Sequence, residues 1–242
     1  QHGLPADERL NGCDLAFVTP SHQAPTTVTM PKSRRQELLA RAEDQDFVII
    51  EDDYEWETNY VSEPTPALKS MDAAGRVIYV GSLSKTLFPG LRLGYLVGPA
   101  PLIREARALR RLMLRHAPNN NQRTAALFLA LGHHDSLVHK LQKAYRERWK
   151  IMGDALAEHL PGWSQAPTFG GTSYWVSGPD GFDAGRLADR ALDDGLIIEP
   201  GRVNFARKNA PKNHFRLGFS SIATERIEPG IRLLADIVKR DF

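Results

Sequence analysis

The first hundred residues alternate between short apolar runs and a longer polar stretch with helical spacing. Four runs, rich in valine, isoleucine and aromatic residues and bounded by turn residues, are typical of buried strands. They are DLAFVT (14–19), DFVIIED (46–52), RVIYV (76–80) and LGYLVG (93–98). Between the first two, KSRRQELLARAEDQ places Leu38, Leu39 and Ala42 at helical spacing among charges. This order predicts a βαβ unit with parallel strands and a right-handed crossover.

The connection between the third and fourth predicted strands is short. Only residues 81–92 separate them, which is barely enough for a crossover helix. We therefore expect a mixed sheet in which one strand is antiparallel.

After about residue 100 the pattern becomes mostly helical. PLIREARALRRLMLRH is amphipathic, APNNNQ is a turn-rich break, and TAALFLALG is typical of a buried helix. A long helix is predicted from about Ser136 to His159, where PGW ends it. Later strands are predicted at SYWVSG, GLIIEPG and HFRLGFSS, with helices near 183–194 and 224–239.

This change of pattern predicts two domains. Residues 1–135 are expected to form the C-terminal part of a large α/β domain. Residues 136–242 are expected to form a smaller C-terminal α+β domain that the long helix enters.

Composition and charge exclude few classes of protein. Apolar residues make up 42% and charged residues 25%, as in ordinary globular proteins, and the net charge of +2 does not indicate nucleic acid or membrane. No apolar run approaches the ~20 residues of a membrane span. The single cysteine, Cys13, excludes an internal disulfide and favours the cytoplasm. The start QHGLPADERLNG lacks a signal-peptide pattern and a methionine, which favours a piece of a longer protein.

Lys85 lies in the segment GSLSKTLFPGLRLG, for which three kinds of chemistry are considered. A phosphate-binding P-loop requires glycine directly before the lysine, where this chain has Ser84. The spacing Ser82-x-x-Lys85 matches penicillin-binding proteins and β-lactamases, but the S-D-N and K-T-G tripeptides of those enzymes are missing. Both interpretations fail on a missing part.

The third interpretation is a Schiff-base lysine for pyridoxal 5'-phosphate (PLP). That cofactor needs an amine for its aldehyde, a carboxylate for its pyridine nitrogen, and cations and hydroxyls for its phosphate. Asp52 or Asp53 ends one predicted strand and Tyr54 follows. The residues that flank Lys85 at distances suited to a phosphate are Ser82, Ser84 and Arg92. The combination, in this order and on neighbouring strand ends, favours PLP.

The motifs around these residues resemble those of a known family. SLSKTLFPGLRLGY is similar to the lysine motif of fold-type I aminotransferases. VTPSHQAPT and IIEDDYEWE are similar to motifs of the MocR/GabR family, transcriptional regulators whose C-terminal domain is an aminotransferase-like PLP-binding module. From about Leu15 to the end, the resemblance implies a fold-type I transferase-like α/β fold with a mostly parallel mixed sheet flanked by helices. Thr27 departs from the motif, since the family usually has glycine there.

The resemblance implies a role for each site residue. Lys85 carries PLP, Asp52 pairs with the pyridinium nitrogen, and Tyr54 bonds the ring hydroxyl, with His22 and Gln23 near the same edge of the ring. The phosphate is held by Ser82, Ser84 and Arg92.

The resemblance also implies a ligand site in the C-terminal part. Arg216, in FRLGFSS, stands where the family has the arginine that grips an amino-acid carboxylate, a task suited to a planar guanidinium. The alternative is a strand arginine paired with a surface acid. FGGTSYW (169–175) is expected to contribute to the pocket.

For the whole protein the resemblance implies a cytoplasmic, homodimeric regulator. An N-terminal winged helix-turn-helix outside this chain would bind DNA, and an amino compound would form an external aldimine and displace Lys85. The alternative is an active class I/II aminotransferase, in which Lys85 also acts as general base. The residues TPSHQ and EDDY of the two motifs favour the regulator. A third hypothesis is a fragment that dimerises and holds effector without firmly holding PLP.

One predicted helix is rich in arginine. Spacings of three and four place Arg104, Arg107, Arg111 and Arg115 on one face. This face is either a contact for the DNA backbone or, as is commoner, a solvated, interdomain or dimer-contact face. Histidines 133, 134 and 139 lack metal-ligand partners, and no metal site is predicted.

Overall fold

The computed structural model of the chain describes residues 3–164 and 170–242, which form two units. The first contains the residues up to Gln23 together with Val28–Asn59 and Glu63–Leu141. The second contains Ala24–Thr27, Tyr60–Ser62 and the residues from Gln142 onward.

A four-stranded sheet in the order β1-β2-β3-β4 organises the first unit. Its strands are β1 (Leu15–Val18), β2 (Val48–Asp52), β3 (Val77–Ser82) and β4 (Gly94–Val97). The first three are parallel, and β4 runs antiparallel to β3 with Ser82 opposite Gly94. The mixed sheet predicted from the short connection is confirmed.

The first unit has helices at the predicted places and, in addition, a four-residue helix at Leu68–Met71 that the sequence did not predict. They are α1 (Lys32–Asp44), α2 (Leu68–Met71), α3 (Ala100–Leu114) and α4 (Asn119–Ala130). α1 connects β1 to β2 as predicted, and Leu38 and Ala42 on its apolar face are fully buried in one core with Phe47 and Ile49. Burial of this face holds α1 against the sheet, because apolar surface is stabilised away from water.

Burial of the sheet is one-sided. In β1, Ala16 and Val18 are buried, whereas Leu15 and Phe17 on the opposite face are exposed. All of β4 is exposed, so the prediction of a buried strand is wrong there. The apolar run encodes a strand, but burial depends on what packs against it, and the stacking of Tyr95 on Tyr79 leaves all of β4 exposed.

α3 has no buried residue. Its arginines Arg104, Arg107 and Arg111 are exposed together with apolar side chains. Arg115 lies beyond the end of the helix with a left-handed φ of 59°, so the predicted four-arginine face contains only three. A pattern of spacing cannot show where a helix stops.

α4 differs from its prediction in two ways. It begins at Asn119, so most of the predicted break is helical and Pro118 precedes the first turn. Ala125 is its buried residue, and Leu127 and Leu129 are 44% and 45% exposed. The prediction of a buried helix is therefore wrong, because apolar composition does not establish a packing partner.

The second unit has an antiparallel sheet in the order β5-β7-β6. The elements from the long helix onward are α5 (His133–His159), β5 (Ser173–Ser177), α6 (Ala184–Asp193), β6 (Glu199–Pro200), β7 (His214–Gly218) and α7 (Thr224–Asp241). The predicted strand GLIIEPG shrinks to two residues, and Ile197 is 88% exposed. Leu156, Phe215 and Ile237 are fully buried in the core of this unit.

Among the helices that the structure describes, none has the length and apolar character needed to cross a bilayer.

Candidate functional site

Lys85 lies in the loop that follows β3, with its side chain exposed. The loop is closed at its base, where the N–H of Leu83 donates to the Leu93 carbonyl and the N–H of Leu87 donates to the Leu83 carbonyl, each at 3.0 Å. The Lys85 Nζ lies 5.4 Å from the centroid of the Tyr54 ring. Within residues 3–164 and 170–242 its side chain forms no hydrogen bond or ion pair, so the backbone of the loop fixes only the point from which the side chain extends.

Asp52 and Asp53 have different surroundings at the end of β2. Asp53 is buried, accepts a hydrogen bond from the Tyr79 hydroxyl at 3.3 Å, and accepts another from Ser21. Asp52 is half-buried, and the positive charge of Lys85 favours the ionised form of its carboxyl. Burial, followed by the charge of Asp53, raises the pKa of Asp52, and Lys85 opposes that rise. Strand alternation thus directs Asp53 to the core and Asp52 towards the lysine.

The remaining expected ring contacts come from two loops. Tyr54 follows Asp53, and its neighbour Glu55 is buried with its Oε2 3.4 Å from the Nε2 of His22. The N–H of Gln23 donates to the Val28 carbonyl at 3.0 Å, which closes the turn that follows His22. His22 therefore contacts the loop that carries Tyr54.

The hydroxyl and guanidinium groups expected to hold a phosphate lie around the same loop. The Ser82 Oγ accepts from the N–H of Ser84 at 3.3 Å, and the Ser84 Oγ donates to the Leu93 carbonyl at 3.5 Å. Arg92 is exposed, with a left-handed backbone (φ 51°, ψ 41°). No acid pairs with Arg92 among the residues the structure describes. Its guanidinium is available for an anion.

Gly94, the last glycine of the lysine motif, has a steric reason. A Cβ at this position would lie 2.8 Å from the Gly81 carbonyl oxygen. Only glycine lets β4 approach β3 this closely, and this approach closes the loop that carries both Lys85 and Arg92.

Arg216 belongs to the second unit, on β7. Its Nε donates to the Ser173 Oγ and its Nη1 to the Glu199 Oε2, each at 3.0 Å. Glu199 lies directly opposite Arg216 on β6. The partly exposed guanidinium thus already has one acidic partner, as the alternative from the sequence expected. Of the segment 169–175, Phe169 lies outside the described residues.

Sequence reasoning missed several residues around the lysine loop. The Thr86 hydroxyl donates to the Glu57 Oε2, and His134 lies on the other oxygen of the same carboxylate, 2.9 Å from Oε1. The Asn121 side chain donates to the Leu91 carbonyl at 3.0 Å. These residues are far apart in the chain, so no local spacing could reveal them. No group of three metal-ligating side chains is found in the ranges 3–164 and 170–242.

The residues at this sheet edge fit PLP. An amine, a half-buried carboxyl, two hydroxyls and a guanidinium that has no acidic partner among the described residues lie at or after the ends of β2 and β3. β2 and β3 are parallel, so their carboxyl ends meet at one edge, which is where α/β proteins bind ligands. The fold and this donor set define an aminotransferase-like domain of fold-type I.

Comparison with known proteins gives the family. Residues 10–234 match the family described as aminotransferase class I and II, so the chain belongs to it. Kynurenine aminotransferase of Pyrococcus horikoshii, solved in complex with PMP, superposes with a TM-score of 0.89 and 32% identity over 95% of this chain and 57% of that one. The fold class predicted from the motifs and the predicted cofactor, PLP, are confirmed.

Curated relatives include regulators. The HTH-type transcriptional regulator TauR of Rhodobacter capsulatus is 48% identical over 91% of this chain and 46% of its own length. The probable rhizopine catabolism regulatory protein MocR of Rhizobium meliloti is 36% identical over 94% of this chain and 46% of its own length. These relatives confirm the resemblance to the MocR/GabR type, and the chain spans about half of their length.

Proposed function

We propose that this chain is the PLP- and effector-binding domain of a MocR/GabR-type transcriptional regulator, which senses an amino compound that carries a carboxylate. The observation that carries the proposal is the placement of Lys85 beside Tyr54 and Asp52 in a chain 48% identical to an HTH-type regulator. The domain boundary proposed from the sequence, between residues 135 and 136, belongs to the same interpretation.

The residues at the ends of β2 and β3 would divide the work of holding the cofactor. PLP supplies an aldehyde that reacts with amines and a ring that withdraws electrons. Lys85 would hold the aldehyde carbon through its amine, and Tyr54, whose ring lies near that amine, would bond the ring hydroxyl. Asp52 would keep a proton on the pyridine nitrogen. His22 and Gln23 would support the same edge of the ring from the preceding loop.

The phosphate would bind at the turn that closes the lysine loop. Ser82 and Ser84 offer hydroxyls, and Arg92 offers a cation without a competing acid in the described ranges. The left-handed backbone of Arg92 supports this role, because strained non-glycine residues cluster at functional sites.

The effector's carboxylate would bind Arg216. The Nη1 of Arg216 already donates to Glu199, so an incoming carboxylate competes with that side chain or uses the remaining N–H groups. This geometry favours a ligand whose carboxylate offers a bidentate contact that Glu199 does not make.

The partners of the whole protein follow from the same interpretation. The relatives' description as HTH-type regulators supports DNA as a partner, contacted through a winged helix-turn-helix outside this chain. We infer a cytoplasmic homodimer, which the exposed apolar side chains of α3 support. No membrane partner is proposed.

The second candidate is an aminotransferase that turns over an amino acid. The similarity to kynurenine aminotransferase of P. horikoshii favours it. In that case Lys85 would also move a proton at the substrate's α-carbon.

One experiment separates the two candidates. The protein is loaded with PLP, reduced with borohydride and mapped by peptide mass spectrometry, with Lys85→Ala as the test and Lys32→Ala, an exposed lysine of the same unit, as the control. We expect the cofactor on the Lys85 peptide and its loss only in Lys85→Ala. A panel of amino compounds, each supplied with a 2-keto acid as amino acceptor, then shifts the visible band without steady release of the donor's keto acid if the protein is a regulator. Steady release supports the enzyme.

A further inference from the structure

The carboxylate of Glu57, beside the lysine loop, has a side-chain partner at each of its two oxygens. The Thr86 hydroxyl donates to the Oε2 of Glu57, and the His134 Nε2 lies 2.9 Å from its Oε1. Thr86 is 8% exposed, and the side chains of Glu57 and His134 are 10% and 12% exposed. Such burial is costly for a carboxylate unless partners satisfy it, so the three side chains form one coupled cluster.

The cluster joins the segments that carry the cofactor residues. Thr86 directly follows Lys85. Glu57 lies in the 3₁₀ turn Trp56–Thr58, shortly after Asp52 and Tyr54. His134 lies in the first turn of α5, with its Nδ1 3.5 Å from Asp135.

The contact matters for Lys85 because that side chain lacks an anchor of its own. It forms no hydrogen bond or ion pair in the described parts of the chain, and its Nζ lies 5.4 Å from the centroid of the Tyr54 ring. The backbone at residues 85 and 86 therefore sets where this side chain starts and its initial direction, and with them the space that the amine reaches. A hydrogen bond from Thr86 to a charged acceptor is a strong local restraint on that backbone.

We propose that Glu57, held by His134, is a positioning residue that acts through Thr86 to direct the Lys85 amine towards the Tyr54 and Asp52 side of the loop. This inference rests on the proposed role of Lys85 as the cofactor lysine. Burial raises the pKa of Glu57 and His134 opposes that rise, which is consistent with a carboxylate that depends on its partners.

The test uses matched variants of the whole chain. Thr86→Val keeps the shape and removes the hydroxyl, Thr86→Ser keeps the hydroxyl, and Glu57→Gln keeps the shape and removes the charge. Asp72→Asn is the control for stability, since Asp72 accepts the N–H of Arg76 and of Val77 at the opposite end of β3.

Two readouts are taken. The first is the rate at which PLP and borohydride modify Lys85, and the second is the rate of Lys85 methylation by formaldehyde and cyanoborohydride without cofactor. Both are measured by peptide mass spectrometry, with the exposed Lys32 as internal reference. We expect Thr86→Val and Glu57→Gln to slow trapping by PLP about tenfold relative to Lys32, the effect of one charged hydrogen bond. Thr86→Ser should keep most of the wild-type trapping rate. Asp72→Asn should also keep the wild-type trapping rate, even where it lowers stability as much as Thr86→Val or Glu57→Gln does.

The inference is overturned if Thr86→Val and Glu57→Gln are trapped at the wild-type rate, or if Asp72→Asn slows trapping equally. If PLP does not modify Lys85 in the wild type, the proposed function fails. The rates of Lys85 methylation without cofactor then still test the role of Glu57. Equal rates in the wild type, Thr86→Val and Glu57→Gln contradict that role, and changed rates in both variants support it. If Thr86→Val does not fold, the same test is made with Glu57→Gln, whose trapping rate is compared with that of the wild type under conditions where both are equally stable.

Discussion

Thr27 has a backbone conformation that glycine prefers. Its φ is 61°, and its side chain is buried. For a β-branched residue the left-handed region costs of order 1–3 kcal/mol. The motif that this segment resembles has glycine at this position, which suits the left-handed backbone better than threonine does.

Thr27→Gly is therefore expected to raise the free energy of unfolding by about 1 kcal/mol, measured by urea denaturation. The gain is partial, because the buried side chain is lost. Thr26→Gly is the matched control, since Thr26 has no positive φ and glycine should lower stability there. A loss of stability in Thr27→Gly equal to that in Thr26→Gly would show that the turn is not strained.

Asp52 and Asp53 are expected to respond differently to the same substitution. Asp53→Asn weakens the hydrogen bonds from Tyr79 and Ser21 in a buried place, so it should cost about 1–3 kcal/mol of stability. Asp52→Asn relieves repulsion from Asp53 and should change stability by less than about 0.5 kcal/mol. PLP affinity should fall at least about tenfold in Asp52→Asn, consistent with the loss of one charged hydrogen bond. Denaturation measures the change in stability, and cofactor titration measures the change in PLP affinity. If Asp53→Asn lowered PLP affinity and Asp52→Asn lowered stability, Asp53 would be the cofactor residue and Asp52 the structural one.

At the scale of elements, Glu51 joins β2 to α2 and α1. Its fully buried carboxylate accepts the N–H groups of Leu68 and Lys69 at 2.7 and 2.8 Å, which are the first residues of α2. The buried guanidinium of Arg35 on α1 lies 3.8 Å away. One side chain from a strand thus caps a four-residue helix that has no side-chain cap of its own.

Glu51 should make stability depend on pH. Burial raises its pKa from the ordinary value of 4.5 to about 7, so between these values the folded protein binds more protons than the unfolded chain. Stability therefore falls as pH rises through this window, by up to about 3 kcal/mol from this group. Glu51→Gln should remove this slope in urea denaturation between pH 5 and pH 8, with Glu37→Gln, a surface carboxylate, as control. An unchanged slope would exclude Glu51 as its source.

At the scale of the whole molecule, apolar side chains gather on one exposed helix. Leu112, Met113 and Leu114 of α3 are 84%, 76% and 70% exposed. Contiguous exposed apolar side chains of this kind are typical of interaction surfaces. A second copy of the chain is the occupant that the proposed homodimer requires.

The double variant Leu112→Gln with Met113→Gln should weaken self-association at least about tenfold in sedimentation velocity, because each side chain contributes about 1.5–3 kcal/mol when buried. Leu192→Gln is the control, since Leu192 is a 61% exposed leucine of the second unit. Equal association in both variants would place the dimer contact elsewhere.

Local pattern determined much of this protein. Periodicity and turn chemistry predicted the βαβ unit, the antiparallel fourth strand and the long helix. The motif residues from Ser82 to Gly94 predicted the cofactor, because the spacing of amine, hydroxyls and guanidinium along one loop is itself local.

Only the tertiary structure showed that Glu57, Thr86 and His134 meet, that Glu199 faces Arg216, and that Asp53 turns to the core beside Tyr79. It also showed that α4 and β4 are exposed, although their sequences are apolar. The physical reason is the same in each case. A residue's type and spacing set which conformation its segment prefers, whereas its partners and its burial depend on segments that lie far away in the chain.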